Sequence, residues 1–369
     1  MARGVSEYFK ESPFGDFAGK LSPDTGKDDF VTLEVHDDLL RRIEANLLRS
    51  PVTIRLIVAG IGGGKTWTLS WLTRHFSEQE NTLTISIPRI ELRGQPDRGF
   101  MEAVFRGLTS DIPELRGRLS QQKVPKEFVG TPTHYVWMAL FNEDALAVLC
   151  GGGGKLPHLA GLPPPLLTKT EGTIQLLLGL FRILYALGYA RVVVLVDEIE
   201  SLFVAYGRKD LFIFENYLRG IFDEFLSDKG QFLPRLVILL AGTTYVLEQI
   251  SPALVGKQTA SGDFAQALAR RLEPTTFLLK EESDVLRIAG HRIGKHRKRP
   301  LSQPFIPYEE AAILYVWRNS LGNIGDFCHY LQSMYELALS EKSEKITLKH
   351  AERTLEQYRA ASSASSSES

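Results

Sequence analysis

The chain has 369 residues, 44% of them hydrophobic and 24% charged, the balance of an ordinary globular protein with material for more than one compact unit. Forty-three Lys and Arg stand against 44 Asp and Glu, so no global charge draws the chain to nucleic acid or to a membrane, and any such partner must be met by a local patch. Two cysteines, Cys150 and Cys328, lack zinc spacing, and the polar stretch Met1 to Lys20 lacks the apolar core of a secretion signal, so reduced thiols in a cytoplasmic protein are expected.

Residues 1–30 mix Pro, Gly, Asp and Lys with scattered aromatics and no sustained period, which predicts an extended or disordered arm. From Val35 to Arg49, Leu39, Leu40, Ile43, Leu47 and Leu48 fall on one helical face. An apolar strand through Leu56-Ile57-Val58 then empties into Gly60-Ile61-Gly62-Gly63-Gly64 and Lys65-Thr66-Trp67. Glycines let the backbone turn its N–H groups around a phosphate, and the helix expected from Trp67 to Phe76 offers the positive end of its dipole to the same anion. Lys65 would reach the β- and γ-phosphates and the Thr66 hydroxyl would ligate Mg²⁺, so residues 60–67 predict a site for ATP with Mg²⁺. The usual pattern begins with Gly where this chain has Ala59, a residue small enough for a turn that does not require positive φ.

Thr82 to Pro88 alternates like a strand, and Gly99 to Leu149 reads as helices broken by Pro113, Pro125 and Pro132. Cys150 to Pro165, with four consecutive glycines and three consecutive prolines, reads as a linker. Its Gly151 to Lys155 run imitates the first glycine loop, but Leu156 stands where a hydroxyl would hold magnesium and no strand precedes it. The apolar stretch Ile174 to Leu187 is too short to span a bilayer and is interrupted by Arg182, so it predicts a buried helix.

Ala190 to Val196 and Arg235 to Thr244 are continuous apolar runs of the kind buried on both faces of a parallel sheet, with a helix expected between them over Leu211 to Leu226. The alternation predicts an α/β fold with a parallel sheet between helical layers. After Glu281 the strand signal ends, and Ala311 to Trp317, Ile324 to Leu339 and Leu348 to Tyr358 predict a small helical domain. The expected organisation is an arm over 1–30, a nucleotide-binding domain over 31–280 with a helical insertion and linker around 95–170, a helical domain over 281–358, and a disordered Ser-rich tail over 359–369.

Three further features carry chemistry. The strand ending in Val196 delivers Asp197 and Glu198 to the carboxyl edge of the sheet, where open α/β sheets bind ligands. Asp197 would hold Mg²⁺ with Thr66, and Glu198 would orient and activate the attacking water. The next strand ends in Thr243-Thr244, either of which can contact a γ-phosphate, Thr243 being preferred; Arg270 and Arg271 end a helix, from which Arg271 can reach a neighbouring subunit's nucleotide.

The ordered set Gly64-Lys65-Thr66, Asp197-Glu198, Thr243 and Arg271-Leu272-Glu273-Pro274, followed by helices, resembles the AAA+ ATPases. Within them it is most similar to the initiator branch related to origin-recognition proteins, whose bacterial and archaeal relatives include transposition and phage-defence ATPases. The resemblance implies a three-layer AAA+ core with a helical lid, ATP hydrolysis, and a homo-oligomer in which Arg271 completes a site in trans. It also implies an arginine at the start of a lid helix, where this chain has Gly322-Asn323-Ile324-Gly325; the role falls vacant unless Arg318 supplies it.

Arg292, Lys295, Arg297, Lys298 and Arg299, with Arg287 nearby, cluster at the entrance to the helical domain. They predict either a salt-sensitive contact to DNA phosphates or a solvated loop of charge. Two readings follow: an ATPase that acts on or assembles with DNA as an oligomer, and a slow ATP-gated switch that recruits an effector protein.

Overall fold

The computed structural model describes residues 4–14, 33–60, 62–90, 96–159, 161, 165, 167, 169–201, 208–227, 232–244, 246, 275–276 and 281–366. They divide into two compact units. One comprises Leu40–Val58 and Leu69–Thr276; the other comprises Met1–Leu39, Ala59–Thr68 and Phe277–Ser369.

The first unit is built on a parallel sheet of β1 (Val52–Val58), β2 (Thr82–Ile87), β3 (Arg191–Val196), β4 (Arg235–Gly242) and β5 (Thr275–Thr276), in the order β2-β3-β4-β1-β5. Val194 in β3 faces Ile85 on one side and Ile238 on the other, while Leu56 of β1 lies opposite Leu240. Beyond their first residues β3 and β4 are buried throughout, which is why they read as unbroken apolar runs; β1 is buried throughout too, with Thr53 and Arg55 among its residues. Burying one such Val, Leu or Ile side chain contributes about 1.5–3 kcal/mol, so the central strands dominate the stability of this unit. Where β3 begins, the Arg191 guanidinium makes a forked contact with Glu44 at 2.7 and 3.1 Å and also reaches Gln79, which fixes the start of the strand.

Between β2 and β3 run α3 (Pro96–Gly107), α4 (Ile112–Ser120), α5 (Pro132–Ala139), α6 (Glu143–Leu149) and α7 (Thr170–Ala186). Gly179 of α7 lets α5 approach closely, since a Cβ there would lie 3.1 Å from both the Thr133 backbone and Val136. Phe100 of α3 packs against Phe214 and Tyr217 of α8 (Arg208–Ser227). Residues 150–159 carry no helix or strand, and Gly151, Gly153 and Gly154 take positive φ. The segment is nonetheless pinned: Leu156 and Leu159 are buried in the core and the Tyr135 hydroxyl donates to the Pro157 carbonyl at 2.7 Å.

The second unit gathers α9 (Glu282–His296), α10 (Glu310–Asn319), α11 (Ile324–Ser340) and α12 (Leu348–Ser366) around its own core of Val285, Ile313, Val316, Phe327 and Leu331. It departs from the sequence expectation at both ends. Residues 4–14 form a strap on these helices, with Val5, Phe9 and Phe14 buried in the helical core. Phe9 meets Tyr335 edge-on at 5.6 Å, and the Lys10 and Lys298 N–H groups donate to the His296 and Tyr8 carbonyls. At the other end α12 continues to Ser366, so much of the Ser-rich tail is helical, as its alanines permit. Cys328 is buried in this core, where burial pushes its thiol up to about 12 and keeps it unreactive. Among the described residues no helix is long and apolar enough to cross a membrane.

Candidate nucleotide site

The glycine loop leaves the last residue of β1 and ends on α2 (Lys65–Ser77). The Gly63 N–H donates to the Gly60 carbonyl at 3.0 Å, closing a turn whose third residue, Gly62, has φ of 73°. Gly64 follows at φ 82°, so two of the glycines occupy backbone states that other residues adopt only with strain. Gly63 is fixed by crowding instead: a Cβ there would lie 2.8 Å from the Ala59 Cβ. The Lys65 ammonium folds back onto the Ala59 and Gly60 carbonyls at 3.2 and 3.1 Å. Beyond it Thr66 is exposed, while Trp67 is half-buried against the helical core with its ring 5.0 Å from that of His36 in α1 (Glu34–Leu47). A concave backbone with a lysine over it, at the start of a helix, fits a polyphosphate.

At the carboxyl edge of the sheet, Asp197 and Glu198 follow the last residue of β3. The Asp197 N–H donates to the Ile87 carbonyl of β2 at 2.9 Å, and the Ile199 N–H donates to the Ala241 carbonyl of β4 at 3.0 Å. Glu198, caught between these braces, is held at φ 52°, a left-handed state that costs a non-glycine residue about 1–2 kcal/mol. Its own N–H donates to Asp197 Oδ1 at 2.9 Å, which orients the buried carboxylate, while the Glu198 side chain projects into solvent. Thr243 follows β4 directly and is half-buried; Thr244 is exposed and already helical. Asp197, Glu198 and Thr243 therefore sit at the ends of two paired strands. Gly242 permits the contact between them, because a Cβ there would lie 2.6 Å from Ile199 and 2.8 Å from Val246.

Among the described residues no three His, Cys, Asp or Glu side chains cluster as a metal cage. Thr66 in one unit and Asp197 in the other each carry a hard oxygen donor of the kind that Mg²⁺ takes. Ile61 and Arg271, with the rest of the Arg271-Leu272-Glu273-Pro274 segment, lie outside the described residues.

The basic cluster is only partly exposed. Arg292 and His296 lie on the buried face of α9 with Val285, Ile288, Ala289 and Ile293. Arg297 is buried too, donating to the Ile306 and Pro304 carbonyls at 2.6–3.1 Å. Neither arginine faces a polyanion; Lys295, Lys298 and Arg299 are the exposed members. Arg318 pairs with Glu282 at 2.8 Å on the surface, and that hydrogen bond holds the Glu282 carboxyl below its ordinary range. The residues that the sequence reasoning missed are Asn323 and Ile324, which with Gly325 meet the glycine loop directly. Their only signal was a Gly-Asn pair opening a helix, in which Asn323 caps α11 by accepting the Asp326 N–H at 3.1 Å.

No family model matches the sequence, and no curated protein is significantly similar to it. Solved structures do match the fold. The ORC2 protein of Aeropyrum pernix, in its ADPNP-ADP complexes, superposes with a TM-score of 0.53 over 95% of this chain and 72% of that chain, at 12% sequence identity. The ADP form of the same protein gives a TM-score of 0.50 over 94% of this chain and 73% of that chain, at 13% identity. The chain thus shares the fold of these ORC2 structures, an α/β core on a parallel sheet followed by helices.

Proposed function

We propose that this chain binds ATP with Mg²⁺ and hydrolyses it to ADP and phosphate, working as an oligomer on DNA. The observation that carries this reading is the Gly60–Lys65 cradle, whose glycine conformations and folded-back lysine suit a β-phosphate. Lys65 binds the β- and γ-phosphates. Thr66 and Asp197 would hold Mg²⁺, which supplies charge neutralisation on the phosphates. Glu198 orients the attacking water and accepts its proton as the γ-phosphoryl group leaves ADP; Thr243 contacts the γ-phosphate, and Arg271 of a neighbouring copy stabilises the charge that develops. The fold shared with ORC2 structures solved with ADPNP and ADP supports nucleotide as the ligand class. DNA would be met through Lys295, Lys298 and Arg299.

A second reading has an observation in its favour. Gly325 stands where a lid arginine would act, and Arg318 is paired elsewhere, which suits a slow switch that holds ATP and recruits an effector protein. Turnover measured with and without DNA separates the two. On the motor reading DNA stimulates hydrolysis, and Glu198→Gln keeps ATP binding while lowering turnover by about 10²–10⁴-fold; on the switch reading ATP binds tightly with negligible turnover in either condition. Lys65→Ala loses nucleotide binding, and Arg271→Ala keeps binding but loses hydrolysis. Normal binding by the Lys65 variant would refute the site itself.

A further inference from the structure

The first turn of α11 lies directly on the glycine loop. The Gly325 N–H donates to the Gly62 carbonyl at 3.1 Å. The Asn323 amide covers Gly62 so closely that a Cβ on Gly62 would overlap its Oδ1 and lie 2.9 Å from its Cγ. Ile324 does the same to Gly64, where an added Cβ would be 2.9 Å from Cδ1. A Cβ on Gly325 would stand 3.2 Å from Asn323 Oδ1 and 3.4 Å from the Gly62 Cα, a tight fit that asks Asn323 to yield slightly. With glycine at 325 the two backbones meet without that adjustment.

We infer that the Asn323–Gly325 turn is a positioning element for the phosphate-binding loop: it holds the Gly62 peptide in place through a backbone hydrogen bond, doing by contact with the loop what a side chain reaching the nucleotide would otherwise do. The peptide unit is planar, so fixing the Gly62 carbonyl also fixes the direction of the Gly63 N–H, which closes the turn onto Gly60. The same Gly60 carbonyl receives the Lys65 ammonium. The hydrogen bond from α11 therefore stabilises the whole sequence of contacts from Gly60 to Lys65 before any ligand arrives. Such pre-ordering raises affinity, because the bound loop shape no longer has to be selected from others. It also makes nucleotide and lid helices bias one another through the loop.

The inference rests on the reading of residues 60–66 as a nucleotide site, so its test has a readout independent of nucleotide. Gly325→Pro removes the donor while keeping a residue acceptable in the first helical turn; Gly325→Ala keeps the donor and asks Asn323 to yield by a few tenths of an ångström. Hydrogen exchange of the peptide covering 59–68, in the full chain without nucleotide, should quicken about tenfold in Gly325→Pro and stay within threefold of wild type in Gly325→Ala. ATP binding by calorimetry should weaken about tenfold in the first and little in the second. Asn323→Asp keeps the helix cap but sets a carboxylate over the loop, and it should weaken ATP binding with α11 still folded by circular dichroism. Unchanged loop exchange in a folded Gly325→Pro chain, or unchanged ATP affinity in both Gly325→Pro and Asn323→Asp, overturns the positioning role. Wild-type protein that fails to bind ATP refutes the nucleotide reading, and the exchange comparison still decides the contact.

Discussion

His36 shows how one residue type can be structural where its chemistry suggests otherwise. It is the third residue of α1, fully buried, with Nδ1 accepting the Leu33 N–H at 3.1 Å and its ring against Trp67. That is the reach-back bond which Glu or Gln makes in a capping box, here made by an imidazole that burial pushes down to about 3. The unfolded chain protonates His36 near pH 6.5 and the folded chain does not, so the contribution is complete above that pH and is lost as pH falls toward 3. His36→Gln retains the reach-back bond and removes the titration. Between pH 7 and pH 5, urea unfolding should therefore cost the wild type about 2 kcal/mol more stability than the variant; equal losses would mean that His36 is protonated in the folded chain. Glu198 is the contrasting case, a residue whose left-handed backbone is held against its preference by hydrogen bonds to β2 and β4, at the place where the proposed chemistry needs a carboxylate in solvent.

At the scale of elements, the strap over residues 4–14 is where burial most exceeds what local pattern suggested. Val5, Phe9 and Phe14 share no helical or strand period, so only the structure reveals that all three anchor one core. Phe9→Ala leaves a cavity beside Tyr308 and Tyr335 and should lower the stability of the unit by about 3–5 kcal/mol, read from thermal or urea unfolding. A loss below about 0.5 kcal/mol would mean that the strap is not part of that core. The parallel strands were legible because burial on both faces writes itself as an unbroken run, as in Val192 to Val196, and the glycine loop because its chemistry demands adjacent residues. Helix α9 was obscured by its charges: Val285, Ile288, Ala289 and Ile293 keep a helical period, but Arg292 occupies the same face and reads as part of a basic patch. The contact of Asn323 and Gly325 with the loop was illegible for a different reason, since it joins backbones distant in sequence and needs small residues rather than any distinctive chemistry.

For the molecule as a whole, a formal net charge of −1 gives no general attraction to DNA, so the DNA part of the proposed function depends on how many cations of the cluster remain in solvent. Burial of Arg292 and Arg297 leaves Lys295, Lys298 and Arg299, with Lys298 steadied by the Ser6 carbonyl of the strap at 3.2 Å. Each phosphate contact contributes close to one counterion to the salt dependence of binding, so three such contacts would give a log–log slope near −3 from this surface. Replacing Lys295, Lys298 and Arg299 together by Ala should reduce the slope for duplex DNA by about 2–3 and weaken all sequences alike. Arg297→Ala acts differently: it strands the Pro304 and Ile306 carbonyls, lowers stability by about 1–3 kcal/mol, and leaves the slope of the folded fraction unchanged. Anisotropy titrations across a salt series, with unfolding curves on the same samples, separate the two effects. An unaltered slope in the triple variant removes this surface from the DNA reading and leaves the nucleotide site untouched.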